Sequence, residues 1–142
     1  MMFNKKFKKY ICISVGIVGT SFVGLKALAK YKKGSYIYQN SFKGCTNLKT
    51  VSFNYLSSKL TAISQCCFKD CYNLENITLP KSIKDISIGA FQNCASLKSI
   101  TIPENVDRVY NDSFNGCTSL ESVTFAGSST QDLIVYKTAF QN

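Results

Sequence analysis

Apolar residues return at fixed positions along most of this 142-residue chain, separated by short polar stretches. The recurring unit is Phe-x-x-Cys-x-x-Leu-x-x-(Val/Ile)-x-(Phe/Leu/Ile), and copies begin at Phe42, Phe68, Phe91 and Phe114. A fifth copy begins at Phe140, and the offsets between copies are 26, 23, 23 and 26 residues. A period of roughly 20 to 30 residues is typical of stacked repeat arrays, in which neighbouring coils bury a shared core. The pattern therefore predicts a solenoid.

Other positions of the repeat also keep one residue type. Five residues before each phenylalanine stands an aliphatic residue: Ile37, Ile63, Ile86, Val109 and Val135. Immediately before each phenylalanine stands a small residue: Ser41, Cys67, Ala90, Ser113 and Ala139. We expect the aliphatic residues to face the core and the small residues to lie where neighbouring coils approach closely.

A turn and a short strand follow each phenylalanine. The residue ahead of the cysteine position tolerates a positive φ in every copy: Gly44, Asp70, Asn93, Gly116 and Asn142. The β-branched and aromatic residues after the leucine favour a strand. Pro80 and Pro103 end that strand in two repeats, because proline cannot donate to a sheet. The 26-residue repeats carry loops there instead, at 54–59 and 126–131.

Four of the seven cysteines share one position of the repeat, at Cys45, Cys71, Cys94 and Cys117. We interpret them as buried free thiols that act as small hydrophobic side chains. Disulfides between neighbouring coils are the alternative, although parallel strands hold the Cβ atoms about 4.8 Å apart, against ~3.8 Å in a disulfide. Cys66 falls at a polar position, so we predict that it is exposed and the most reactive thiol.

The formal net charge of +9 is concentrated at the N-terminus. Residues 1–33 contain eight lysines and no acidic residue, whereas residues 34–142 contain nine basic and eight acidic residues. The repeats are therefore almost neutral and lack the basic face that nucleic-acid binding needs. We predict no nucleic-acid partner.

The segment 1–29 has the pattern of a targeting or anchoring element. Four lysines precede the uncharged residues 10–25, and an Ala-x-Ala pattern follows at 27–29. This order is typical of a secretory signal peptide, since the apolar run would reach only about 24 Å of a bilayer core of roughly 30 Å. An uncleaved single-pass membrane anchor is the alternative, because the lysines that follow oppose translocation. Residues 30–35 then form a linker, and residues 36–142 form the repeat domain.

Side chains suited to catalysis are scarce. The chain has no histidine, which excludes a histidine-based triad, general base or metal site. The eight carboxylates fall at different positions of the repeat, and there is neither a glycine-rich phosphate loop nor a Cys-x-x-Cys pair. We therefore predict no catalytic residue, no metal and no cofactor.

The outward positions of the strands after each leucine are the candidate binding surface. They form three polar columns across the repeats: Lys49, Glu75, Lys98 and Glu121; Thr50, Asn76, Ser99 and Ser122; and Ser52, Thr78, Thr101 and Thr124. The first column alternates in sign, so opposite charges should lie about one strand spacing apart. Such a face is either a solvated surface that helps to set the register or a shallow recognition surface of the kind that repeat proteins present.

The repeat resembles that of the BspA-type leucine-rich repeats over almost all of residues 34–142. The resemblance rests on Phe-x-x-Cys-x-x-Leu followed by (Val/Ile)-x-(Ile/Phe)-Pro. It implies an α/β, β-rich solenoid curved into a right-handed horseshoe, with short strands on one face and brief helical turns elsewhere. We expect about 4.5 coils, preceded by an N-terminal hydrophobic helix. The resemblance also implies a secreted or surface protein with a role in adhesion and protein binding.

Two functions are therefore expected. The first is a non-enzymatic module, secreted or displayed at the cell surface, that binds a protein or another macromolecule. The second is a membrane-anchored structural solenoid, or a fragment of a longer array, whose C-terminal coil stacks on another chain. An uncapped coil would favour such self-stacking because it leaves apolar surface and strand edges exposed. Membrane contact in either case would come from residues 1–29.

Overall fold

Each repeat folds into one turn of a β-solenoid that contains two short strands. The computed structural model of the protein describes residues 37–53, 60–127 and 133–141. Eight strands lie within these ranges: β1 (Thr50–Ser52), β2 (Ala62–Ile63), β3 (Asn76–Thr78), β4 (Asp85–Ile86), β5 (Ser99–Ile102), β6 (Arg108–Val109), β7 (Ser122–Phe125) and β8 (Ile134–Val135). Every strand pair is parallel, because each strand lies beside its counterpart from the neighbouring repeat.

The strands fall into two columns that differ in continuity. The odd-numbered strands form the first strand column, in which β1 pairs with β3 and β5 pairs with β7. The even-numbered strands form the second strand column, a continuous four-stranded sheet in the order β2-β4-β6-β8. Its three parallel junctions correspond to about three turns, which confirms the predicted solenoid. The count of about 4.5 coils, the horseshoe curvature and the handedness stay predictions.

The expected helical turns are absent from the described residues, none of which is helical. Between β4 and β5 the backbone instead makes short turns: the Gln92 N–H donates to the Gly89 carbonyl and the Cys94 N–H to the Phe91 carbonyl, both at 3.1 Å. Gly89 and Asn93 have φ of 61° and 62°. An α-helix needs a φ of about −63°, so these two residues interrupt it before one full turn is complete.

The phenylalanines stack face to face from coil to coil. Their ring centroids lie 5.1 Å apart for Phe42 and Phe68, 5.4 Å for Phe68 and Phe91, 5.2 Å for Phe91 and Phe114, and 4.9 Å for Phe114 and Phe140. The ring planes are parallel to within 12°. The three central rings are fully buried. The predicted shared core is confirmed, with this ring stack running through it.

Most of the other predicted core positions are buried. The fully buried residues of the aliphatic column are Ile37, Ile63, Ile86 and Val109, and those of the small-residue column are Cys67, Ala90, Ser113 and Ala139. The Ser113 hydroxyl donates to the Tyr110 carbonyl at 2.6 Å, so its burial leaves no polar group unpaired. Two residues of these columns differ: Val135 is exposed and Ser41 is half-buried.

The predicted left-handed turn residues are confirmed at all four described positions. The φ angles are 72° at Gly44, 61° at Asp70, 62° at Asn93 and 74° at Gly116. A second set of left-handed residues was not predicted and stands two residues before the phenylalanines: Asn40, Cys66, Gly89 and Asp112. Glycine, asparagine and aspartate tolerate this conformation, whereas at Cys66 it costs roughly 1–2 kcal/mol.

The predictions for the N-terminal segment lie outside the described residues. These are the signal peptide, anchor or helix within 1–29 and the linker at 30–35, and they stay predictions together with the repeat-domain boundary at residue 36. Within 37–53, 60–127 and 133–141, no helix is long and apolar enough to cross a bilayer.

Candidate interaction surface

The first strand column presents the predicted polar residues outward while apolar residues between them enter the core. In β3 and β5, for example, the buried Ile77 and Ile100 are flanked by exposed polar side chains. The register pairs are Thr50 with Asn76, Ser52 with Thr78, Ser99 with Ser122, and Thr101 with Thr124. Thr50 and Ser52 are half-buried, and the other six are exposed. The structure therefore brings these eight residues together as in-register pairs.

The first strand column is interrupted between β3 and β5. At the junction before it, the Glu75 and Asn76 N–H groups donate to the Lys49 carbonyl at 2.8 and 3.2 Å. At the junction after it, the Glu121 N–H donates to the Lys98 carbonyl at 2.9 Å. Within the described ranges no backbone hydrogen bond joins β3 to β5. The candidate surface therefore consists of two blocks of two strands, rather than the single array that the sequence suggested.

The charged column forms only one of its expected ion pairs in the part of the chain that is described. Lys49 Nζ lies 3.8 Å from Glu75 Oε1, and both side chains are largely exposed. Lys98 and Glu121 form no ion pair, although they occupy the equivalent positions one block later. An exposed pair of this kind contributes about 0–1 kcal/mol, so these charges add little to the stability of the fold.

A second cluster of polar and aromatic side chains lies on the second strand column, where the sequence predicted no site. Arg108 Nε donates to Asp85 Oδ1 at 2.7 Å and Arg108 Nη2 donates to Asp85 Oδ2 at 3.3 Å, across the β4–β6 pair. The hydrogen bond and the negative charge of Asp85 raise the pKa of Arg108, which keeps the guanidinium charged. This two-point contact fixes the plane of the guanidinium.

Two tyrosines and an isoleucine complete this group, which we call the tyrosine–arginine cluster: Asp85, Arg108, Tyr110, Ile134 and Tyr136. The Arg108 Cζ atom lies 5.8 Å from the centre of the Tyr110 ring. That ring stacks on Tyr136 with centroids 5.1 Å apart and planes 11° apart. Ile134 is the register partner of Arg108 in β8. The cluster is therefore a continuous surface across three coils.

A sequence signal for this cluster lies beside the aliphatic column. The repeat pattern predicts strands only after the leucine and places the aliphatic residues in the core, so it predicts no site here. The residue that follows each aliphatic residue is Tyr38, Ser64, Ser87, Tyr110 or Tyr136. Two tyrosines in adjacent repeats at one position indicate stacked rings once that position is known to be extended.

The thiols of the central coils are buried and hydrogen-bonded to the phenylalanine carbonyls of neighbouring coils. The thiol-to-carbonyl distances are 3.1 Å for Cys71 and Phe42, 3.3 Å for Cys94 and Phe68, and 3.2 Å for Cys117 and Phe91. A hydrogen bond with Cys117, together with burial, raises the pKa of Cys94 and keeps it a thiol. The prediction of buried free thiols is confirmed at these three cysteines.

Cys45 and Cys66 differ from the central thiols. Cys45 is buried but disulfide-bonded, so the prediction of a free thiol is wrong at the first position of that column. Cys66 is a free, half-buried thiol, less exposed than its polar position suggested. Its high reactivity stays a prediction. Nowhere in the described ranges do three histidine, cysteine or acidic side chains come together as metal ligands could.

Comparison with known proteins places this geometry in a family. The sequence profile of the BspA type leucine rich repeat region matches residues 24–142 in six copies. The chain belongs to the BspA-type leucine-rich repeat family. The match begins ahead of the repeat boundary expected at residue 36, and it counts more copies than the four complete ones read from the sequence. No curated protein sequence matches the chain significantly.

Solved structures of other leucine-rich repeat proteins share the fold. A protein from Bacteroides ovatus is 26% identical over 62% of this chain and 28% of its own length, with a TM-score of 0.55. One from Eubacterium ventriosum is 24% identical over 70% of this chain and 26% of its own, with a TM-score of 0.61. A leucine rich cell surface protein from Faecalibacterium prausnitzii is 23% identical over 66% and 30%, with a TM-score of 0.51. The chain therefore spans less than a third of each of these proteins.

Proposed function

We propose that this BspA-type repeat chain is a non-enzymatic module that binds a protein or another macromolecule through its first strand column. The observation that carries the proposal is the in-register presentation of polar side chains within the two strand pairs β1–β3 and β5–β7. The stacked core beneath holds these strands in a fixed arrangement, so the surface loses little freedom when it binds. Repeat proteins bind macromolecules through extended faces of this kind.

The proposed location is outside the cell, either secreted or at the cell surface. Two observations support it: the signal-like pattern of residues 1–29 and the likeness in fold to a bacterial leucine rich cell surface protein. If residues 1–29 are retained, they would serve as a single-pass membrane anchor. The N-terminal residue of the mature protein distinguishes these forms, because cleavage at the Ala-x-Ala pattern would leave Lys30 first.

A photoreactive residue at Thr101 should capture the partner in intact cells that produce the protein. Thr101 is exposed in β5, at the middle of the candidate surface. The matched control is a photoreactive residue at Lys81, which is also exposed but lies in the turn that follows Pro80. We expect an adduct of defined mass from position 101 and none from position 81, measured by immunoblotting and mass spectrometry. The same adduct at equal yield from both positions would contradict a partner bound at the strand face.

The apolar surface of the last described coil favours a second candidate function, stacking on another chain. Phe125 is 48% exposed and Val135 is 44% exposed, whereas their register partners Ile102 and Val109 are buried. An exposed apolar patch with open strand edges is typical of an association surface. In this role the solenoid would be a structural piece that joins a longer array.

Stacking between copies predicts a purified chain that sediments as dimers or larger species at micromolar concentration. Val135→Lys should shift it to monomer, because a charge at that core position cannot be buried against a second coil. Thr124→Lys, on the neighbouring strand but facing outward, is the control and should leave the distribution unchanged. A wild-type chain that sediments only as a monomer would count against self-stacking.

A further inference from the structure

We propose that the tyrosine–arginine cluster is the centre of a second binding surface, which takes a protein segment that presents a carboxylate beside an apolar side chain. The proposal rests on the proposed function as a protein-binding module and adds a site on the second strand column.

The residue types of the cluster are those that dominate binding energy at protein interfaces. Tyrosine and arginine are enriched among interface hot spots, whereas serine, threonine, lysine and glutamate contribute little. The cluster contains two tyrosines and an arginine in mutual contact. The outward positions of the first strand column carry only serine, threonine, asparagine, lysine and glutamate. Judged by residue type, the second strand column offers a partner stronger anchor points than the first strand column does.

The cluster is ordered before any partner arrives. Two N–H groups of Arg108 are held by Asp85 at 2.7 and 3.3 Å, its guanidinium lies over the Tyr110 ring, and that ring is stacked on Tyr136. Fixing a flexible side chain on binding costs conformational entropy, and this cost is reduced for side chains that are already held. Less of the binding energy is therefore lost to ordering the side chains of the cluster.

The cation is the more exposed member of the cluster's ion pair, whose formal charges cancel. The Arg108 side chain is 44% exposed and the Asp85 side chain 23%. A guanidinium has five N–H donors and Asp85 accepts from two of them, which leaves three for an incoming group. The exposed Lys137 follows Tyr136 and forms no ion pair within the described ranges. The neighbouring Lys84 and Asp107 pair with each other at 4.0 Å and add no net charge.

Apolar surface adjoins this cation directly. Ile134 is the register partner of Arg108 and is 51% exposed, and Tyr136 is 39% exposed. A partner that places a carboxylate on the guanidinium therefore has an apolar contact one strand spacing away. Carboxylate and guanidinium match in geometry, and the apolar contact excludes water from that pair, which strengthens it. The expected ligand therefore carries a carboxylate and an apolar side chain next to each other.

Two sets of short synthetic peptides test the proposal on the purified full chain. In the first set a glutamate is flanked by leucine, isoleucine or tyrosine, and in the second glutamine replaces the glutamate. We expect immobilised glutamate peptides to retain the chain roughly tenfold more strongly than the glutamine peptides. Tyr136→Ala should weaken retention by the glutamate peptides roughly tenfold or more, the loss typical of a hot spot.

The charge preference should disappear when the ion pair is removed as a unit. Arg108→Gln alone would leave Asp85 without its partner, so the informative variant is the double substitution Asp85→Asn and Arg108→Gln, with its fold checked by circular dichroism. Lys81→Gln, which removes an exposed cation from the turn after Pro80, is the control and should retain the preference. Equal retention of both peptide sets by the wild-type chain, retention of neither set, or a double variant that still prefers glutamate would each overturn the proposal. The adduct at Thr101 does not depend on these results, so the two experiments test the second binding surface and the proposed function separately.

Discussion

Phe91→Ala should lower the free energy of unfolding by about 3–5 kcal/mol, measured by urea denaturation followed by circular dichroism. Phe91 is fully buried, and its ring stacks on Phe68 at 5.4 Å and on Phe114 at 5.2 Å. Removal of the ring leaves a cavity between two coils, and the flanking rings cannot close it without breaking the register of the strands on both sides. The loss therefore includes packing on both faces of the ring.

Phe140→Ala is the matched control for this substitution. Phe140 stacks on Phe114 at 4.9 Å on one side only among the described rings, and it is half-buried. We expect it to lose less than half as much stability as Phe91→Ala, because solvent already reaches part of its surface. Equal losses from the two variants would contradict a core that is continuous through the central coils.

Gly116→Ala should destabilise the protein by about 2–4 kcal/mol, from two effects that add. Gly116 has a φ of 74°, which L-residues adopt at a cost of roughly 1–2 kcal/mol. A Cβ atom there would also lie 2.4 Å from Asn93 Oδ1. The Asn93 side chain cannot simply turn away, because its Nδ2 donates to Asp70 Oδ1 at 2.8 Å. Relief of the clash breaks that hydrogen bond between coils.

Gly44→Ala isolates the backbone effect. Gly44 has nearly the same φ, 72°, but a Cβ atom there would have nothing within 4 Å. We expect a loss of about 1–2 kcal/mol for Gly44→Ala, so the difference between the two melting curves measures the contact with Asn93. If Gly44→Ala proves as damaging as Gly116→Ala, the asparagine contact contributes nothing and the turn conformation alone sets the cost.

The period of the phenylalanines was enough to predict the solenoid and its shared core, and the residue types at the turn position predicted the left-handed turns. The reason is physical: a ring that returns every 23 or 26 residues can be buried only by its own counterpart in the next coil. Glycine, asparagine or aspartate at the turn position likewise permits few conformations other than the left-handed one. The residue type at Phe91 therefore predicts a buried ring, and the residue type at Gly116 predicts a left-handed turn.

The second strand column could not be predicted in the same way, because its strands have two residues each. Such a strand is too short for the alternation of apolar and polar residues by which a strand is recognised. The contact between Asp85 and Arg108 is meaningful only after the two residues are known to be register partners. The interruption between β3 and β5 has no sequence signal either, since Ser99 and Thr101 repeat the residue types of the neighbouring strands.

The uniform junctions between coils have an evolutionary consequence. Each junction in the described ranges stacks a ring at 4.9–5.4 Å, and those of the central coils add a thiol on a phenylalanine carbonyl at 3.1–3.3 Å, although the first strand column is interrupted at one of them. A coil copied by unequal recombination therefore meets a compatible neighbour on either side, and a deleted coil lets its neighbours close up. Array length can change by whole repeats without any compensating substitution, while outward residues such as those around Arg108 diversify independently.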